Sequence, residues 1–374
     1  MFSRFGIFPK NKKNRSYKMK KLLAVVCVAL ALVSSTFAAK KGKNVKVGVS
    51  MPTKDLQRWN QDGSNMKAQL EKAGYQVDLQ YAANDINTQI SQIENMITGK
   101  CKVLVIASID GSALSNVLAT AKKKKIQVIA YDRLIMDTDA VTYYATFDNY
   151  KVGTLQGDYL VDKLGLKSRS ASDPVYMEFF TGDPGDNNIN FFFGGAMDVL
   201  KPYLDKGVIV CPSGQTAKAQ AATLNWSTEN AQMRMENLIT SNGYGPKGAK
   251  LDAVYCSNDS TANGVTNALL SAGYTADNFP IITGQDCDIV SVKNMIKGLQ
   301  SMSVFKDTRT LASKVAEMVD AILSGNAAPV NDTETYNNNV KVVPSFLCEP
   351  VFGDINNYKK LLIDTGYYKE SELK

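Results

Sequence analysis

The chain predicts an α/β protein of two doubly wound, parallel-sheet lobes joined by a multi-strand hinge. Three observations predict it. Residues 103–107 and 126–131 are apolar runs that stop abruptly at polar residues, as buried parallel strands do where their carboxyl ends open onto a crevice. Segments with apolar residues at helical spacing separate such runs along most of the chain. The alternation then restarts near Asn149, where a strand passes directly into a helix with no Gly/Ser-rich linker, which suits a hinge better than a tether.

In order, strands are predicted over 45–50, 77–81, 103–107, 126–131 and 142–147. Helices fall between them over 56–73, 86–97 and 112–125, the first two stopping at Gly74 and Gly99. Lys122 to Lys125 read as a solvated last helical turn that complements the helix dipole. The second series has strands over 175–180, 208–211, 251–256, 280–284 and 302–305, with helices over 150–163, 190–204, 228–241, 261–272 and 289–297. Within 190–204 the helix buries two of Phe191, Phe192 and Phe193 and leaves one to reach a ligand. Right-handed crossovers put the carboxyl ends of each sheet on one edge, and two such edges facing each other enclose a cleft. A helix over 311–323 returns to the first lobe and 331–335 crosses back. The expected division is a leader over 1–38, a first lobe of 45–148 plus 306–330, and a second of 149–305 plus 331–374.

Composition narrows the function. The formal charge of +7 resembles that of a nucleic-acid binder, but residues 1–38 hold eight of the 43 basic residues and no acid, which leaves 35 basic against 36 acidic. The body is near neutral and nucleic acid is not an expected partner. The leader reads as a secretory signal: Lys18, Lys20 and Lys21, an apolar stretch over 22–33, and small residues up to a cleavage point at Ala38 or Ala39, with Met19 as an alternative start. The apolar stretch is too short to span a bilayer, and Val26 stands where a small residue would precede a lipidated Cys27. The other five cysteines are scattered and show no CxxC spacing, so neither a disulfide framework nor zinc is expected; pairing of Cys256 with Cys287 stays open. The chain has no histidine, and so lacks the commonest general base and zinc ligand.

The residues with chemistry gather at the predicted strand ends. Arg58 and Trp59 follow the first strand, Asp132 and Arg133 the fourth. Asp186 and Asn188 lie in the loop after 175–180, Trp226 precedes a helix, Asn258 and Asp259 follow 251–256, Asp286 follows 280–284, and Lys306 follows 302–305. Four acids against three bases disfavour a strongly charged ligand. Carboxylate, amide and guanidinium groups can pair with neighbouring hydroxyls of a polyol, and the C–H face of a pyranose packs on an indole ring. Taken singly, the Asp–Arg pair reads equally as a local salt bridge, and Asp186 or Asp259 as a helix cap. No GxGxxG or Walker sequence supports a nucleotide, and the acidic loop 183–188 lacks the EF-hand order.

These residues resemble a known family. Arg58–Trp59, Ala130–Tyr131–Asp132–Arg133, Asp186–Asn187–Asn188, Ser257–Asn258–Asp259, Gly284–Gln285–Asp286 and Phe305–Lys306–Asp307–Thr308 are similar, in this order, to the periplasmic sugar-binding proteins of ABC transporters. Val342–Val343–Pro344–Ser345 and Gly366–Tyr367–Tyr368–Lys369 extend the likeness, so that it covers about 45–374. The resemblance implies the type I periplasmic binding protein fold, and a xylose-, glucose- or galactose-type monosaccharide bound by a monomer without cofactor, metal or turnover. The implied partners are an ABC permease and a chemoreceptor, and the implied location is periplasmic. By position, Arg58, Asp132 and Arg133 would bind hydroxyls from the first lobe, with Trp59 nearby. Asp186, Asn188, Asn258, Asp259 and Asp286 would bind them from the second, Trp226 would stack, and Lys306 would reach in from the hinge. A sugar-responsive DNA-binding regulator of the same fold needs a helix-turn-helix where this chain has its apolar leader. A carbohydrate-active enzyme using paired carboxylates is the other alternative.

Overall fold

The computed structural model describes residues 45–374, together with Met1; the predicted leader and Cys27 lie outside the described residues. The first sheet has six parallel strands: β1 (Lys46–Met51), β2 (Gln76–Tyr81), β3 (Val103–Ile106), β4 (Gln127–Tyr131), β5 (Tyr143–Phe147) and β11 (Ser345–Cys348), in the order β11-β5-β4-β3-β1-β2. Side chains alternate between its faces. Val47, Val49, Val103, Val105 and Ile129 pack toward helices α1 (Gln57–Lys72) and α9 (Thr308–Leu323). Leu104, Ile106, Val128 and Ala130 pack toward α2 (Ile86–Thr98) and α3 (Ser115–Lys123). Burial on both faces is why these strands read as unbroken apolar runs. The third helix starts three residues later than predicted, because the Asp110 carboxylate takes the N–H groups of Ser112 and Ala113 and holds a turn there.

The second sheet has four parallel strands in the order β7-β6-β8-β9: β6 (Val175–Phe180), β7 (Ile209–Val210), β8 (Ala253–Cys256) and β9 (Ile281–Ile282). One face packs on α4 (Asn149–Lys163) and α5 (Asn188–Asp205), the other on α6 (Thr228–Asn242) and α7 (Asp259–Ser271). Helices α4 and α5 approach until a Cβ on Gly153 would lie 2.0 Å from the Phe192 carbonyl oxygen, so only glycine fits there. A bridge from Gln285 to Val304 extends this layer to β10 (Met302–Phe305), which pairs antiparallel with β12 (Val351–Asp354). Helix α8 (Ile289–Ile296) lies between β9 and β10.

The chain passes between the layers three times, from β5 to α4, from β10 to α9, and from β11 to β12. Asp148 and Asp307 cap the helices that begin at the first two passages. The third passage corrects an expectation. Residues 331–335 do not lead into the second lobe; the Asn331 and Asp332 N–H groups bond the Ser345 carbonyl, and β11 joins the edge of the first sheet beside β5. The segment up to Cys348 thus sits with the first lobe, and the crossing falls between Cys348 and Val351. Cys101, Cys211, Cys256, Cys287 and Cys348 are all unpaired thiols, which resolves the open question of a Cys256–Cys287 bridge. Among the described residues no helix is long and apolar enough to cross a membrane.

Candidate ligand-binding cleft

The strand ends face one another across a cavity whose empty space, open mouth included, is about 390 Å³. Ten of the eleven predicted residues line it: Arg58, Trp59, Asp132, Arg133, Asp186, Asn188, Trp226, Asn258, Asp286 and Lys306.

Arg58 lies in the first turn of α1, just past the end of β1. Its guanidinium fans to three carboxylates: Nε to Asp62 at 2.9 Å one helical turn on, Nη2 to Asp132 at 2.6 Å, and Nη1 across the cleft to Asp286 at 3.2 Å. Asp62, fully buried, also accepts the Tyr131 hydroxyl. Asp132 is bent out of β4 by a backbone φ of +60°. Its N–H bonds the Ala145 carbonyl, and its own carbonyl accepts from Tyr144, Thr146 and Asn188 at 2.7–3.0 Å. Arg133 donates from Nη1 to the carbonyls of Ser108 and Ile109 and pairs through Nε with Asp186 at 3.0 Å. The Trp59 ring lies 5.0 Å from both guanidinium carbons, a distance at which each cation is drawn to the ring.

On the other wall, the loop after β6 ends at Asp186, whose carboxylate accepts the Asn188 N–H at 2.9 Å and so turns Asn188 into the start of α5. Asn188 donates to the Asp132 carbonyl and accepts from Tyr144 and Asn149, which fixes its amide orientation. Trp226 has φ +55° and lies over Gly182, where a Cβ would fall 2.1 Å from the ring; it makes a T-shaped contact with Phe192, ring centroids 6.2 Å apart. Asn258 caps α7 through its side-chain oxygen, so its amide NH₂ is the group it can present to the cavity. Asp286, with φ +99°, takes Arg58 from one side and Lys306 at 3.0 Å from the other. Left-handed backbone costs a non-glycine residue roughly 1–2 kcal/mol; here it aims Asp132, Trp226 and Asp286 into the cleft.

Asp259 departs from the expectation. Its carboxylate is fully buried beneath the cavity floor, where it accepts Gln300 Nε2 and Ser303 Oγ at 2.9 Å and the Asp288 N–H at 2.8 Å. Asn258 occupies the cap, and the next side chain turns away from the cavity to partners in its own lobe. Asp259 therefore holds the turn that carries Asp286 rather than facing a ligand. Sequence reasoning missed Leu56, Ser260, Gln285 and Asp288, which also line the cavity. Of the three phenylalanines, Phe192 reaches the cavity, while Phe193 packs in the core and Phe191 against Tyr336.

Charge is held in place by burial and pairing together. Burial alone would push the Asp132 carboxyl up; Arg58, Lys306 and Arg133 outweigh it and hold the group below its usual range. Asp186 stays above its usual range, because burial outweighs the pull of Arg133. Burial also raises Asp62, against the charge of Arg58.

Two parallel-sheet lobes, three chain passages and a buried polar cavity between the lobes define a protein that encloses a small polar ligand. The sequence profile of the periplasmic binding protein domain matches residues 47–327, and the chain belongs to that family. The multiple sugar-binding periplasmic receptor ChvE of Rhizobium radiobacter is 48% identical over 94% of this chain and 98% of its own length. The D-xylose-binding periplasmic protein of Escherichia coli is 39% identical over 95% of this chain and 100% of its own. A crystal structure of an ABC transporter solute binding protein from Clostridium phytofermentans with bound β-D-glucose superposes with a TM-score of 0.85, at 65% identity, over 88% of this chain and all of that one. The relatives are receptors and binding proteins, and this chain is a sugar-binding member of the family with the type I periplasmic binding protein fold.

Proposed function

We propose that the cleft captures one neutral monosaccharide of the xylose, glucose or galactose type outside the cytoplasm and presents it, enclosed, to the permease of an ABC transporter. The observation that carries this reading is the cavity itself: three cations, Arg58, Arg133 and Lys306, each ion-paired with an acid of the same cavity. An anionic ligand would have to break one of those pairs, whereas hydroxyls can insert among them. On this reading Arg58, Asp132 and Arg133 bond hydroxyls from the first lobe and Asp186, Asn188, Asn258 and Asp286 from the second. Trp226 offers its face to the pyranose ring, and Lys306 reaches in beside the hinge. Closure is favoured because the sugar touches both lobes at once, and the closed shape is what a permease, or a chemoreceptor, recognises. The leader is removed at Ala38 or Ala39, the protein works as a monomer, and the sugar leaves unchanged. The relatives named for multiple sugars, for D-xylose and for bound glucose support the ligand class.

The test is a titration of the mature chain with D-xylose, D-glucose, D-galactose, L-arabinose and D-ribose, followed by tryptophan fluorescence and thermal melting. One or more of the first three should shift both signals, with the recovered sugar unaltered. Flat titrations with all five would remove the proposal.

A further inference from the structure

Asp85, Asp148 and Asp307 precede α2, α4 and α9, and each gives a carboxylate oxygen to a backbone N–H of its own helix. Asp288 stands in the same position before α8 and gives none. The duty has passed to the opposite lobe: Gln57 Oε1 accepts the Ile289 N–H at 3.1 Å, while Gln57 Nε2 donates to the Tyr368 hydroxyl at 2.7 Å. The displaced Asp288 carboxyl lines the cavity, 7% exposed, and its Oδ1 has no hydrogen-bond partner. Of the four acids on the cavity wall it alone makes no ion pair among the described residues, since Arg58, Arg133 and Lys306 are engaged with Asp132, Asp186 and Asp286.

We propose that Asp288 is a further ligand-contacting residue of the cleft, freed from its helix by Gln57 as the lobes close and left to bond a hydroxyl of the captured sugar. The inference rests on the reading of the cleft as a monosaccharide site. A hydroxyl suits this position because it can donate to the carboxylate or accept from the acid. A uronate would meet a carboxyl with no cation to spare, so anionic sugars are refused here.

The groups facing Asp288 are Asp286 and Cys287 in its own turn, Asp259 at the start of α7, Arg58 from α1, Lys306 after β10 and Tyr368 from the C-terminal segment. Burial, and then the charge of Asp286, push Asp288 up to about 7 against the pull of Arg58 and Lys306. In an opened cleft, water and its own helix N-terminus return it toward the ordinary 3.8. The closed form then binds more protons than the open one. Affinity should be greatest at low pH, fall by up to about tenfold per pH unit as pH approaches 7, and level off above. Asp259 is also raised, by burial first and then by the charge of Asp288; its bonded partners all belong to its own lobe, so closure reaches it only through Asp288.

The experiment is calorimetric titration with D-glucose and D-xylose between pH 5.5 and 8, in two buffers of different ionisation enthalpy. Wild type should take up a proton fraction on binding at pH 6 and lose affinity toward pH 7. Asp288→Asn should bind with little pH dependence and no uptake, and Gln57→Ala with reduced uptake. Sugar binding without proton uptake in wild type, or an unchanged pH profile in either variant, overturns the inference while leaving the function reading intact. Binding of neither sugar, nor of any other in the panel, overturns both.

Discussion

The two walls of the cleft hold their charges in different ways. The first wall is self-contained. Arg58 is tied to Asp62 and Asp132, and Arg133 to the Ser108 and Ile109 carbonyls, all within the lobe that carries them. On the second wall Asp186 and Asp286 find their cations elsewhere, in Arg133 and Arg58 of the facing lobe and in Lys306 beside the hinge. One wall keeps the bonds that orient its guanidinium groups whether or not the lobes meet; on the other, Asp186 has its cation only when they do, and Asp286 then gains Arg58 beside Lys306. The first wall is thus the preformed half of the site, and the second converts lobe closure into an electrostatic gain.

The sharpest break of that contrast is Asp286→Ala. It leaves Lys306 without its carboxylate and strips Arg58 of its only bond to the second lobe among the described residues. Removing one partner of a buried pair costs about 3–5 kcal/mol. Part of that is recovered in the open form, where water reaches Lys306, so sugar affinity should fall at least a hundredfold while the melting temperature of the sugar-free protein moves little. A loss confined to stability, with affinity intact, would show that the second wall does not depend on closure.

Trp226 sharpens the same comparison through packing. Its ring lies over Gly182 with an edge on Phe192, so the second wall borrows its apolar surface from a strained turn. A methyl at Gly182 would land 2.1 Å from the ring. Gly182→Ala should displace the indole and cost about tenfold in affinity, roughly 1.4 kcal/mol and in the range of an aromatic packing contact. It should also shift tryptophan emission before any sugar is added. Trp59, held between two guanidinium groups of the first wall, should keep its environment in this variant.

The walls also differed in how far they could be read from sequence. Strands such as 103–106 and 127–131 are buried on both faces, so their apolar runs and polar stops were visible, and with them Asp132, Arg133 and Asp286 at the rims. Asp62 was not singled out in the sequence, although it stands at an i,i+4 spacing from Arg58 in one helix, and only the fold shows Tyr131 joining the pair. What could not be read was direction. Asn258 and Asp259 are adjacent at a strand end, yet the first caps a helix and lines the cavity while the second is buried against Gln300 and Ser303. The edge strand β11 was equally hidden. It is four residues long, half-buried and set between Pro344 and Pro350, too short to show a period. Asp288 and Gln57 carry no local signal at all, because their relation exists only across the cleft.

The mildest test acts on the preformed wall. Asp62→Asn keeps an oxygen for one partner but removes the charge beside Arg58 Nε and the acceptor pattern that fixes Tyr131. Arg58 retains Asp132 and Asp286, so its guanidinium stays charged and near its place. A hydrogen bond to a charged group contributes about 1.5–3 kcal/mol, and the substitution weakens it without stranding Arg58. We expect a loss of two- to fivefold in sugar affinity and a drop of a few degrees in melting temperature. The stability change carries a pH signature. Burial raises the Asp62 carboxyl above its usual value, so ionising it works against folding: this contribution to stability is present below the unfolded-state value near 3.8 and is lost as pH rises through the folded-state value. Asn cannot ionise, so the deficit of the variant should shrink as pH rises from about 4. If it instead grows with pH, the Arg58 charge outweighs burial at Asp62, and the first wall is held mainly by ion pairing.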